Sequence, residues 1–207
     1  SWQRAVLAAA IGALPQASLA DCPDPEALIA ATERALVAGR LSTVPAFVEQ
    51  TERSFACADA VVSRPLLGRW YRAQAAWFSL SDAPDEAALA WRSAELAAPG
   101  AWTEALGPRL RVERDAAVAD TNRLGSGTIS LVPPARGHRT TLDGLETPYP
   151  VSAPPGLHLV QVLERADGRA VFARQVFLID AGELFEIDTG PLSVPTARAT
   201  DAAPPPP

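Results

Sequence analysis

The sequence predicts an α+β protein in which antiparallel helical hairpins over residues 21–123 precede a small antiparallel β-sandwich over residues 124–190. Three observations predict it. Five segments of helical length and periodicity fill the first part, and each pair is separated by Pro or Gly. After Arg123 the apolar period shortens to that of strands. Turn sequences then recur at even spacing: Asp143-Gly144, Pro154-Pro155-Gly156, Asp167-Gly168 and Asp180-Ala181-Gly182. Gly supplies positive φ in such turns, and Asp bonds its own backbone.

Residues 1–20 read as a secretory signal peptide. Arg4 precedes an apolar run from Ala5 to Leu14, Pro15 breaks it, and Ser18-Leu19-Ala20 sets small residues at positions −3 and −1 of a cleavage site. The run is about half the length a bilayer-spanning helix requires. The alternative is a buried N-terminal helix. Cys22 lies just past the cut, but Asp21 stands where a lipidation site would have a small residue. In an exported chain Cys22 and Cys57 are expected to pair, pinning the first helix to the second with roughly 4 kcal/mol of stabilisation. Two free thiols are the other reading.

Asp24-Pro25-Glu26 opens the first helix with a capping side chain, a Pro at the first helical position and an acid at the positive end of the dipole. It runs to about Val37 and stops at Gly39. Further helices are expected over about Pro45–Ala60, Pro65–Leu80, Pro84–Ala97 and Thr103–Ala119. The short links make neighbouring helices antiparallel. Tyr71, Ala75, Phe78, Ala87, Trp91, Ala94 and Pro99 recur at the spacing of a tetratricopeptide repeat over about residues 68 to 101, which this stretch resembles. Only Ala60 and Pro65 hold equivalent places before it, and one unit needs its neighbours to cap it. The resemblance implies an inner stripe of Arg69, Arg72, Ala76 and Ser79 on the third helix. Two arginines beside small residues could clamp a carboxylate-bearing peptide, and a solvated face paired to local acids is the competing reading. Trp70, Trp77, Trp91 and Trp102 are expected to pack between helices.

Strands are expected over Thr128–Val132, Arg136–Leu142, Leu157–Glu164, Ala170–Leu178 and Glu183–Asp188. About 65 residues of evenly spaced strands make a small sandwich or open barrel. Gly127-Thr128-Ile129-Ser130-Leu131-Val132 leads to Pro133-Pro134-Ala135-Arg136, then to Thr141-Leu142-Asp143-Gly144, Thr147-Pro148 and Pro155-Gly156-Leu157-His158. On these residues the segment resembles a PEGA domain, although that family's four-letter signature is altered here to Pro-Pro-Ala-Arg. The resemblance implies a structural or adhesive module of bacterial surfaces.

Charge excludes one class of partner. The net −6 divides as +1, −4, −3 and zero over residues 1–20, 21–123, 124–190 and 191–207, so no region has a basic field for nucleic acid. All 18 basic residues are Arg, and Lys and Met are absent, which reads as the codon bias of a GC-rich bacterial genome. His138 and His158 are the two histidines, with no ligand spacing around them to recommend a metal. Gly125-Ser126-Gly127 precedes a strand, where a nucleophile elbow would follow one. No phosphate loop or dinucleotide fingerprint is present. No cofactor is expected. From Pro191 the chain becomes an extended Pro-rich tail or linker ending in four prolines, and the gene is expected to continue into a membrane-spanning segment. The function expected is that of a non-catalytic exported envelope protein, its helical repeat binding a protein partner and its β module spacing or attaching it. A carbohydrate or peptidoglycan binder is the alternative.

Overall fold

The computed structural model describes residues 22–119, 125–190 and 192. The expected signal peptide and, apart from residue 192, the expected tail lie outside the described residues.

Among the described residues, five helices come first. α1 spans Pro25–Val37 and is capped by Asp24, whose side chain accepts from the Glu26 N–H at 3.0 Å. α2 (Val44–Ala56) follows a 3₁₀ turn at Leu41–Thr43. It stops four residues short of its expected end because Cys57 leaves helical geometry and is bridged to Cys22. The chain beyond it is drawn to the sheet, where the Ala58 carbonyl accepts from the Ala170 N–H at 2.8 Å. α3 (Arg64–Leu80) and α4 (Pro84–Ala97) form a tight hairpin. Gly68 permits that approach, since a Cβ there would stand 2.4 Å from the Cβ of Ala98. α5 covers Gly107–Ala119, after a 3₁₀ turn at Glu104–Leu106. Gly107, at φ +80°, divides what the periodicity merges into one helix.

Seven strands follow: β1 (Gly127–Val132), β2 (Arg139–Leu142), β3 (Leu145–Glu146), β4 (Val151–Ala153), β5 (Gly156–Leu163), β6 (Ala170–Leu178) and β7 (Leu184–Asp188). β2 begins later than expected because residues 134–138 form turns, with the His138 N–H donating to the Ala135 carbonyl. β3 and β4 were hidden by Pro148, Pro150 and Pro154 around them. Both are short edge strands, where proline is tolerated. Asp143 and Gly144, both at positive φ (50° and 77°), make the two-residue β2–β3 turn. One sheet has the order β4-β1-β7 and the other β3-β2-β5-β6. All pairings are antiparallel except β1 with β7, which is parallel.

The layers are helices, four-stranded sheet, three-stranded sheet. Ile129, Leu131 and Ile187 meet Val160, Val162 and Val176 between the two sheets. On the opposite face of the four-stranded sheet, Leu157 and Leu159 enter the helical core with Phe55, Leu67, Trp70 and Trp91. β5 lies between the layers, and all eight of its residues are buried.

Candidate functional site

Three places in the fold gather chemically capable side chains. The first is the seam between helices and sheet. Tyr71, on the inner face of α3, donates to Asp143 Oδ1 at 2.6 Å, and the Leu159 N–H donates to the same oxygen at 2.9 Å. Asp143 Oδ2 lies 2.7 Å from His158 Nδ1, while His158 Nε2 lies 2.7 Å from the Pro154 carbonyl. Both ring nitrogens face oxygen acceptors, so the ring satisfies both only as a doubly protonated imidazolium. Burial pulls its pKa down, but the Asp143 hydrogen bond and charge, with the Pro154 carbonyl, hold it above the ordinary 6.5. Burial, with Asp143 beside it, pushes the Tyr71 phenol well up. The trio has the composition of an acid–base relay, yet His158 is 2% exposed and Tyr71 fully buried. It ties layers together.

A second tie lies beside it. Trp70 Nε1 donates to Gln175 Oε1 at 2.9 Å, and Gln74 and Gln175 exchange two amide hydrogen bonds of 2.7 Å. Gln161 Oε1 accepts from the Val62 N–H at 3.0 Å, and Ser93 Oγ accepts from the Leu157 N–H at 2.8 Å.

The second place is the stripe of α3 carrying Arg69, Arg72, Ala76 and Ser79. Arg69 is engaged bidentately by Glu33 of α1, at 3.2 and 2.7 Å, and by Glu26 at 3.2 Å. The Glu33 hydrogen bond outweighs burial and raises its guanidinium pKa. Ser79 faces α4 and accepts from Trp91 Nε1 at 3.3 Å, and Ala76 is fully buried. The stripe is therefore largely covered by neighbouring helices. Arg72 is 7% exposed, and its Nε and Nη1 are closed off without a hydrogen-bond partner. Burial lowers its pKa. Arg114 of α5 pairs with Glu95 of α4 and, at 2.9 Å, with Asp115. The charges of Arg69, Glu33, Arg114 and Glu95 all act on Arg72. The tryptophans pack as expected: Trp70 stands edge-on to Phe55, Trp91 lies 6.0 Å from Trp102, and Trp77 leans on Phe78, which stacks on Phe177.

The third is a cleft of about 250 Å³ at one end of the sandwich, lined by Ser130, Pro134, Arg136, Thr140, Tyr149 and Pro150 among others. Ser130 Oγ is buried there without a partner. Tyr149 donates to the Thr141 carbonyl at 3.0 Å, and burial raises its phenol pKa. Arg136 is exposed.

Cys22 and Cys57 are joined as a disulfide. Among the described residues no group of three or more His, Cys, Asp or Glu could hold a metal ion. Sequence reasoning named Asp143 as a turn residue and His158 as a strand residue, but nothing in their spacing announced that they meet. No protein-family model, curated protein or solved structure matches this chain.

Proposed function

We propose that the protein is a non-catalytic exported envelope protein that works as a protein-interaction and structural module. Its helices supply the partner-binding surface, and the β half acts as spacer or attachment, as the tetratricopeptide-like and PEGA-like resemblances imply. One observation carries the reading: polar side chains are sorted by place. Those with acid–base character, Tyr71, Asp143 and His158, are bonded to one another inside the seam. The α1, α3 and α5 side instead carries an arginine–glutamate network reaching solvent at Glu26 and Asp115, which are 70% and 59% exposed. Such an arrangement suits recognition of a charged partner more than turnover of a substrate. The disulfide supports export, because such bonds persist in oxidising compartments. No helix of the described residues is long and apolar enough to cross a membrane.

Cross-linking of the purified protein in envelope extracts tests this. The expected result is one reproducible protein partner, lost on Arg69→Glu in a variant whose circular dichroism is unchanged. Equal capture by that variant would overturn the reading.

The end cleft favours a second reading, a glycan or peptidoglycan binder. Tyr149 and two prolines wall it, with an unpartnered hydroxyl and an arginine at hand. Sedimentation with purified cell wall that is abolished by Arg136→Ala would favour it over a protein partner.

A further inference from the structure

The acids around Arg72 are all engaged by other arginines. Arg69, Arg72 and Arg114 bring three positive groups, and Glu33 and Glu95 bring two negative ones. Glu33 is held by Arg69 and Glu95 by Arg114. The further partners, Glu26 and Asp115, lie on the rim and serve Arg69 and Arg114. Arg72 is left over, one turn along α3 from Arg69. Its Nε and Nη1 meet neither solvent nor an acceptor.

A buried charge is ordinarily paired, because desolvating an ion costs several kcal/mol that only a partner offsets. A lysine could shed its proton, but a guanidinium remains charged across the working range. The fold therefore keeps a cation with no ion-pair partner of its own, set between two ion pairs. Nothing on α1, α4 or α5 among the described residues supplies the missing charge. With Nε and Nη1 closed off, Nη2 is the guanidinium nitrogen left to meet an incoming group, and a charged N–H donating to a carboxylate oxygen makes a strong hydrogen bond. At 7% exposure Arg72 presents contact area to no more than one small group.

We propose that Arg72 is an oxyanion socket, and that its occupant is one carboxylate of an acidic residue or chain end on the protein partner. This rests on the partner-binding reading above and gives that partner its chemistry. Free phosphate shares the oxyanion character, and the test separates the two.

The intact disulfide-bonded protein is heated at fixed ionic strength in chloride, in sodium phosphate and with an acetylated tetraglutamate peptide. The expected result is a Tm rise of about 5–10 °C with the peptide at a hundredfold excess over its Kd, absent in Arg72→Met. In chloride alone, Arg72→Met is expected to have a higher Tm than the parent chain, because an unpaired buried charge has been removed. A rise with phosphate but none with peptide would retain the socket and overturn the carboxylate occupant. The same peptide-induced rise in parent and Arg72→Met would overturn the socket itself, as would a Tm drop in Arg72→Met with no anion response in the parent. If Arg72→Met still captures the envelope partner while Arg69→Glu does not, the socket fails and the partner-binding reading stands.

Discussion

His158 keeps a second proton only while Asp143 and the Pro154 carbonyl both accept from it. A base whose pKa is raised in the folded state stabilises fully below its unfolded value and loses that contribution as pH climbs through the folded one. The urea midpoint is therefore expected to fall as pH rises above about 6.5. Glu52 acts in a neighbouring window. Burial raises its carboxyl to about 7, with Arg174 pulling down and Glu49 pushing up. The folded state holds a proton that the unfolded chain releases near 4.5, so this contribution is lost between pH 4.5 and 7. The shift corresponds to at most about 3 kcal/mol. Urea melts from pH 4 to 9 should show both declines. Glu52→Gln should flatten the lower one and raise the midpoint at pH 8, whereas His158→Gln should flatten the upper one. If Glu52→Gln left the slope below pH 7 untouched, burial of that carboxyl would not be its source.

At the scale of elements, the disulfide closes a loop of 35 residues across α1 and α2. Closing such a loop in the unfolded chain is worth about 4 kcal/mol in the chain-entropy model. The double variant Cys22→Ser with Cys57→Ser should lose about 8–16 °C in Tm by calorimetry. A loss under 2 °C would mean that the unfolded chain already holds these ends together. The α3–α4 hairpin has a different dependence: Gly68→Ala would drive a methyl into Ala98 and should destabilise by about 1–3 kcal/mol in a denaturant titration. How legible these elements were follows from how local their signals are. Asp24, Pro25 and Gly39 fix α1 from within one turn of its ends, and α4 and β6 begin and end at their expected residues. β3 and β4 are two and three residues long, shorter than any periodicity can register. β5 was legible as a strand, but its unalternating run Gly-Leu-His-Leu-Val-Gln-Val-Leu meant more: both faces are buried.

Across the whole molecule, that double burial joins the helices to the sheets. Leu157 and Leu159 lie in the helical core, while Val160 and Val162 lie between the sheets. The seam is sealed by bonds between residues far apart in the chain, such as Tyr71 to Asp143, Trp70 to Gln175 and Gln161 to Phe55, which are 72, 105 and 106 positions apart. No spacing rule spans such separations, so the sequence yields two halves with a composition break and leaves their shared core unread. The Arg72 environment was equally hidden: its stripe on α3 follows from helical period, but Glu33, Glu95 and Arg114 arrive from three other helices. A shared core has a thermodynamic consequence. If either half unfolded alone, it would expose Leu157, Leu159, Trp70 and Gln175 together, stripping apolar area and leaving buried amides unpaired. Neither half can then melt first. Calorimetry should show one transition with calorimetric and van 't Hoff enthalpies equal, and Gln175→Ala should lower that whole transition by about 1–3 kcal/mol without splitting it. Two resolved transitions, with only the sheet-rich one shifted by Gln175→Ala, would show that each half carries its own stability and that the seam is a contact between domains.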